Sequence, residues 1–278
     1  MAKKPQKRTL DDITKAAFDN LIGAVERIEP ELARTLLDYI AQMDTQGGEI
    51  LNNAYNTQLA ELIEGQVAEL LNRVGFVDDI VQYLTVFDEA TDYLKAQQAD
   101  MNRIKLDNAF LNPIKAASIE GVISDMAGLG LSQIVIKPVR DILTRAILGG
   151  GFLGDVQKEL KGLILTDPQR AGILKKHYIQ ISRDAVGQYV GRANNAIQTK
   201  YKLDGYRYVG SLIEDSRPQC IRWHDKREIA VTELEAEIKW AENNGSGLIP
   251  GTTPSNWPEL RGGYNCRHEA IPIRLKKD

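Results

Sequence analysis

The chain has 278 residues and 31.0 kDa, with 43% hydrophobic and 26% charged residues, enough to bury one large core or two modest ones. Its net charge of -3 excludes a protein whose whole surface coats nucleic acid and leaves only local basic patches for that purpose. Two cysteines exclude a disulfide framework and suit a reducing compartment.

The first residues form a basic tail, 1–8, in which Lys3, Lys4, Lys7 and Arg8 offer contacts to DNA phosphates or simply a solvated terminus. This start runs into Leu10-Asp11-Asp12-Ile13 rather than an apolar stretch, so no secretory signal is expected. Residues 9–147 read as a helical domain. Leu10, Ile13, Ala17, Leu21 and Val25 recur at helical spacing, and Leu59, Leu62, Ile63, Val67, Leu70, Leu71 and Val74 form a stripe broad enough for a core or for a neighbouring subunit of a homo-oligomer. Glu29-Pro30, Gln46-Gly47-Gly48 and Asn112-Pro113 predict helix boundaries. The apolar patch at Ile134-Val135-Ile136 is cut by Lys137-Pro138 and Arg140-Asp141, short of the roughly 20 residues a bilayer span needs, so no membrane span is expected.

Gly128-Leu129-Gly130 and Gly149-Gly150-Gly151-Phe152-Leu153-Gly154 lack the Lys-Ser or Lys-Thr of a phosphate loop and read as hinges between helices. Residues 148–205 continue as a helical linker, with Asp167-Pro168 as cap and first turn and a lone His177 to which no role is given. From residue 206 the pattern changes to a small α+β module over 206–278. Tyr206 to Ile213 alternates as a strand, Thr232 to Asn243 forms a short helix, Asn244 to Tyr264 is loop, and Glu269 to Ile273 is a closing strand. The fold class is therefore mainly α, an elongated helical N-terminal part with a small α+β C-terminal module.

That module holds both cysteines and two of the three histidines, in two clusters. Cys220 and His224 are four apart, one face of a helical turn; Cys266 and His268 are two apart, one face of an extended strand. Three states fit: a tetrahedral Zn2+ on all four, a Cys220–Cys266 disulfide, or reduced thiols in a small core. Zinc with four protein ligands leaves no position for substrate, so no catalytic residue is assigned; a metal-dependent nuclease or transferase centred on His224 and His268 is the alternative. Asp215 is placed to cap the turn that follows it, with Arg217 or Arg267 forking onto a carboxylate. Trp223, Trp240 and Trp257 form the small core or a partner surface. Arg274-Leu275-Lys276-Lys277 forms a second basic patch, with Lys276 and Lys277 as further candidate contacts to DNA phosphates or simply a solvated segment.

Three blocks resemble the minor head, or head-morphogenesis, proteins of tailed bacteriophages typified by the Mu F-like domain. They are Ile181-Ser182-Arg183-Asp184-Ala185 with Arg192-Ala193-Asn194, the strand from Tyr206 leading to Asp215 and Arg217, and Gly263-Tyr264-Asn265-Cys266-Arg267-His268. The resemblance covers roughly Gly149 to Ile273. It departs where the family's Thr-Glu is Asp184-Ala185 or Ser182-Arg183, and where its second terminal Cys is His268. It implies a minor virion protein at the portal vertex or head interior, assembled in the host cytoplasm. The implied partners are portal, major capsid or scaffold protein and, without sequence preference, phage DNA; the implied role is structural, in head morphogenesis and DNA packaging or ejection.

Overall fold

A computed structural model describes residues 9–275; the tail at Lys3, Lys4, Lys7 and Arg8 and the patch at Lys276 and Lys277 lie outside the described residues. In chain order the elements are α1 (Leu10–Ile40), β1 (Thr45–Gln46), β2 (Glu49–Ile50), α2 (Ala54–Arg73), α3 (Phe76–Leu84), α4 (Val86–Asn102), α5 (Asn108–Ala127), α6 (Leu129–Leu131), α7 (Lys137–Gly149), α8 (Leu153–Ile164), α9 (Ile173–Tyr201), β3 (Gly205–Val209), α10 (Pro218–Lys226), β4 (Glu228–Ala230), α11 (Leu234–Asn244), α12 (Trp257–Leu260) and β5 (Glu269–Ile273). A π-helical stretch, Ser132–Ile136, joins α6 to α7. The architecture is mainly helical, with one two-stranded and one three-stranded sheet among the described residues, as the sequence predicts.

The chain divides into two compact units, neither continuous in sequence. One comprises Ala17–Leu84 and Gly121–Ile181; the other comprises the chain up to Ala16, Thr85–Glu120 and the chain from Ser182 onward. Neither therefore coincides with a continuous span such as 9–147 or 206–278.

In the first unit most of the α2 stripe, for which the sequence allowed a core or a neighbouring subunit, is buried within the chain: Leu59, Ile63, Val67, Leu70 and Leu71. Leu62 faces outward. Gly47 and Gly48, both at positive φ, turn the β1–β2 hairpin, matching the predicted break. The break expected at Glu29-Pro30 is absent, because α1 continues through Pro30. A proline in a helix costs about 3 kcal/mol, but Ile28, Leu32, Ala33 and Leu36 around it are buried, each larger apolar side chain contributing about 1.5–3 kcal/mol, so packing wins. His177 is buried, its Nε2 2.8 Å from the Asp125 carbonyl, and burial lowers its pKa: a packed histidine. Asp167 does not start α9. Its Oδ1 accepts from the Gln169 and Arg170 amides in a local turn, and the helix begins at Ile173.

Asn112-Pro113 is likewise no boundary. The break falls earlier, where Arg103 adopts a left-handed conformation at the end of α4 and Asp107 Oδ1 accepts from the Phe110 amide at the start of α5. Pro113 sits in the second turn of α5. The helical run Asn108–Gly149 spans 42 residues and contains an 18-residue stretch of mean hydropathy 1.4, only 28% of it buried. By length and composition it is apolar enough to cross a membrane, which the shorter patch at Ile134 does not reveal. Along it, Ile123, Leu129, Ile134 and Leu148 are exposed, Leu129 by 73%.

In the second unit the sheet order is β4-β3-β5, all antiparallel, with Tyr206 opposite Pro272 and Tyr208 opposite Ala270. Pro272 is tolerated because β5 is an edge strand, and its carbonyl accepts from Asn102 Nδ2 of α4 at 2.7 Å. Strand β3 ends at Val209 rather than Ile213. At Gly210, φ is +142°, and a Cβ there would lie 2.8 Å from the His268 backbone, so the chain turns away where only glycine fits. The core comprises Tyr206, Tyr208, Trp223, Ile229, Leu234, Ile238, Ala241, Trp257 and Ala270. Trp223 and Trp257 meet edge to face at 5.2 Å, and Tyr208 packs on both. Trp240 is only partly buried, with the Arg222 guanidinium 4.5 Å over its ring.

Candidate functional site

The long stretch between α11 and β5 has one four-residue helix, so most of its backbone polar groups need partners from elsewhere. Side chains from α9 and α10 supply them. On α9, Asp184, Gly187 and Gly191 lie on one face at helical spacing. Asp184 Oδ1 accepts from the Asn265 amide at 2.6 Å, where Asn265 takes a left-handed φ of 58°. Gly187 leaves room for Arg261, whose Nη1 donates to the Gly187 carbonyl at 3.0 Å and whose Nη2 donates to the Cys266 carbonyl at 3.3 Å. A Cβ on Gly191 would stand 2.3 Å from the Pro258 carbonyl, so that glycine permits α12 to lie against the helix. Arg192 pairs with Glu259 at 2.7 Å, and Asn195 donates to the Ser255 carbonyl at 2.6 Å. Asn194 is fully buried.

Just before α10, Arg217 donates through Nη1 to the Gly262 carbonyl and through Nη2 to the Tyr264 carbonyl, both at 2.8 Å. The fork exists, but it grips backbone rather than the carboxylate expected. Asp215 does not cap α10 either. Arg217 occupies the cap position, with Pro218 in the first turn, and Ser216 Oγ accepts from the Ile213 amide instead. Arg267 is exposed; Arg261, which the motif pattern did not single out, is the buried arginine. Gln219, also passed over, is fully buried and bonds Ser246 in both directions. Glu237 gathers Arg222, Lys226 and the Trp223 indole; burial opposes its charge, but bonds from Arg222 and Lys226 hold its carboxyl below the usual value.

Beside this clip lies the cysteine and histidine cluster. Cys220 projects from α10, as expected, whereas Cys266 and His268 lie in the loop just before β5 rather than on the strand. Both cysteines are free. Their sulfurs are 3.9 Å apart, and Cys266 Sγ is 3.6 Å from His268 Nδ1. Candidate ligand atoms of Cys220, Cys266 and His268 all lie within 4.8 Å of one another. His224 stands further off, its ring centroid 6.3 Å from that of His268. The His224 Nδ1 and His268 Nε2 atoms are buried with no hydrogen-bond partner. The Tyr208 hydroxyl lies 3.6 Å from both sulfurs, and its ring stacks on His268 at 5.0 Å. The Cys220 thiol, donating towards Cys266 and buried, is held well up; receiving that bond, with His268 and the Arg261 charge adding to it against the cost of burial, pulls Cys266 well down. Burial raises the Asp184 carboxyl against the Asn265 amide and the charge of Arg261.

Comparison with known protein families, with curated proteins and with solved structures finds no match.

Proposed function

We propose that this chain is a minor head protein of a tailed bacteriophage, acting in head morphogenesis at or near the portal and contacting portal, major capsid or scaffold protein. One observation carries the reading beyond sequence resemblance: the separate blocks that resemble the family meet in one place. Asp184 of α9 holds Asn265, Arg217 holds the carbonyls on either side of Gly263, and the strand between those blocks supplies Tyr208 under Cys266. Their polar groups are used on backbone, which suits a clip that fixes a shape for a partner. The exposed apolar residues of the Asn108–Gly149 run suit an assembly contact as well.

Detection of the chain by antibody in purified heads, in fewer copies than the major capsid protein, tests the proposal; its absence from heads refutes it. The cysteine and histidine cluster favours one competing reading, a metal-dependent nuclease. Incubation of the purified chain with plasmid DNA and divalent metal decides between them. Cleavage abolished by His224→Ala or His268→Ala establishes the nuclease.

A further inference from the structure

We propose that Cys220, Cys266 and His268, with His224 completing the set, form a structural zinc site that locks α10 to the segment entering β5. The inference stands apart from the head-assembly reading, since a zinc-closed module serves any partner, and failure of metal binding leaves that reading in place.

Distances carry the argument. A tetrahedral zinc with Zn–S of about 2.3 Å and Zn–N of about 2.0–2.1 Å sets its sulfurs about 3.8 Å apart and each sulfur about 3.5 Å from a ligating nitrogen. Here the sulfurs are 3.9 Å apart, and Cys266 Sγ lies 3.6 Å from His268 Nδ1. A disulfide needs about 2.05 Å, so the pair is not covalently joined, and the hydrogen-bond contact of the free thiols already holds the sulfurs at a spacing that a tetrahedral ion can bridge. Room is preserved beside it: a Cβ on Gly262 would lie 2.4 Å from Cys220 Sγ and 2.6 Å from Cys266 Sγ, and any larger residue there would fill the space against both sulfurs.

Donor chemistry agrees with the spacing. Two thiolates balance the charge of Zn2+, and imidazole nitrogen is its usual borderline ligand. The Tyr208 hydroxyl, 3.6 Å from each sulfur, is placed to donate to the thiolates and orient them. His268 is only 4% exposed, and Nδ1 of His224 is buried with no hydrogen bond, 3.9 Å from the Asp225 carboxylate. His268 faces Cys266 through Nδ1, the atom that would bind the ion, and binding through Nδ1 of His224 would give that buried nitrogen a partner. His224 lies four residues after Cys220 on α10, on the same face, and supplies the fourth ligand. A four-ligand site is closed, so its role is to hold the fold.

Cobalt(II) titration of the reduced, full-length chain tests this. Thiolate-to-cobalt charge-transfer bands and the visible bands of tetrahedral cobalt are expected, saturating at one ion per chain and bleached by zinc. Cys220→Ser and Cys266→Ser each remove about half of the charge-transfer intensity, one thiolate of two. His224→Ala keeps that intensity and shifts the visible bands, and a chelator lowers the unfolding midpoint of the zinc-loaded chain. A reduced chain that circular dichroism shows to be folded but that gives no thiolate bands overturns the proposal. So do bands that persist when both cysteines are replaced.

Discussion

Replacing Arg217 with alanine tests whether the terminal module is held by side chains standing in for regular structure. The guanidinium donates two bonds of 2.8 Å, to the carbonyls of Gly262 and Tyr264. A hydrogen bond to a charged group is worth about 1.5–3 kcal/mol when buried. The Tyr264 carbonyl lies in an exposed stretch, so its bond contributes about 1 kcal/mol at most. The Gly262 carbonyl keeps a weaker partner in Gln219 Nε2 at 3.3 Å and is not orphaned by the change. The expected loss for Arg217→Ala is therefore about 2 kcal/mol. With a urea slope of about 2 kcal/mol per molar, the unfolding midpoint falls by about 1 M. Tryptophan fluorescence is the assay, because all three tryptophans, Trp223, Trp240 and Trp257, lie in this module. Arg217→Lys keeps the charge but offers no planar fork, so it recovers one bond and falls between alanine and wild type. A midpoint unchanged by Arg217→Ala, or fully restored by Arg217→Lys, refutes the reasoning.

Four further outcomes are expected. Gly191→Ala drives a Cβ to 2.3 Å from the Pro258 carbonyl and 2.5 Å from Glu259 Cα, so thermal unfolding should show a loss of about 1–3 kcal/mol or more; Gly23→Ala, with nothing within 4 Å, should gain about 0.5–1 kcal/mol by raising helix propensity. Burial raises the Glu269 carboxyl above its ordinary value of 4.5, despite bonds from Tyr93 and Gln97, so the folded state binds the proton more tightly and stability falls as pH rises from that value through the raised one. Glu269→Gln should remove that fall, since an amide has no carboxyl proton to lose; melting temperatures across pH check it, and a variant whose stability still falls over the same window contradicts it. Leu129→Ser and Ile134→Ser, at exposed positions, should leave stability within about 0.5 kcal/mol and, under the head-protein proposal, reduce incorporation into heads; unchanged incorporation excludes this face as an assembly contact.

What could be read from the sequence depended on whether the signal was local. Strand β5 was legible to the residue because β-branched and apolar residues concentrate between two loop signals, and α2 declared its buried face through its spacing. Pro30 and Pro113 misled because tertiary burial around a helix outweighs one missing hydrogen bond, and burial is not a local property. Of the site, Cys220, Cys266 and His268 were found by scarcity, since rare residues that cluster stand out. Arg261 and Gln219 were missed because arginine and glutamine are common and their partners are backbone carbonyls, which leave no trace in sequence. Gly187 and Gly191, four apart in a long helix, were the available signal: glycine is costly there unless another backbone approaches.

A dense motif does not by itself require catalysis. A catalytic constellation leaves polar atoms converging on space a substrate can enter. In the module from Ser182 onward, Asp184, Arg217, Gln219 and Arg261 converge on carbonyls and amides between Ser246 and Cys266. That stretch has a single short helix, and backbone groups buried without partners would each cost about 1–3 kcal/mol. Side chains of defined reach are the way to hold such a chain in one conformation, and their positions are then as constrained as those of catalytic groups. A sequence signature concentrated where regular structure is thinnest is what a structural clip requires. The proposed zinc site would extend the same logic, since Cys220, Cys266 and His268 lie close enough together to hold an ion beside the clip.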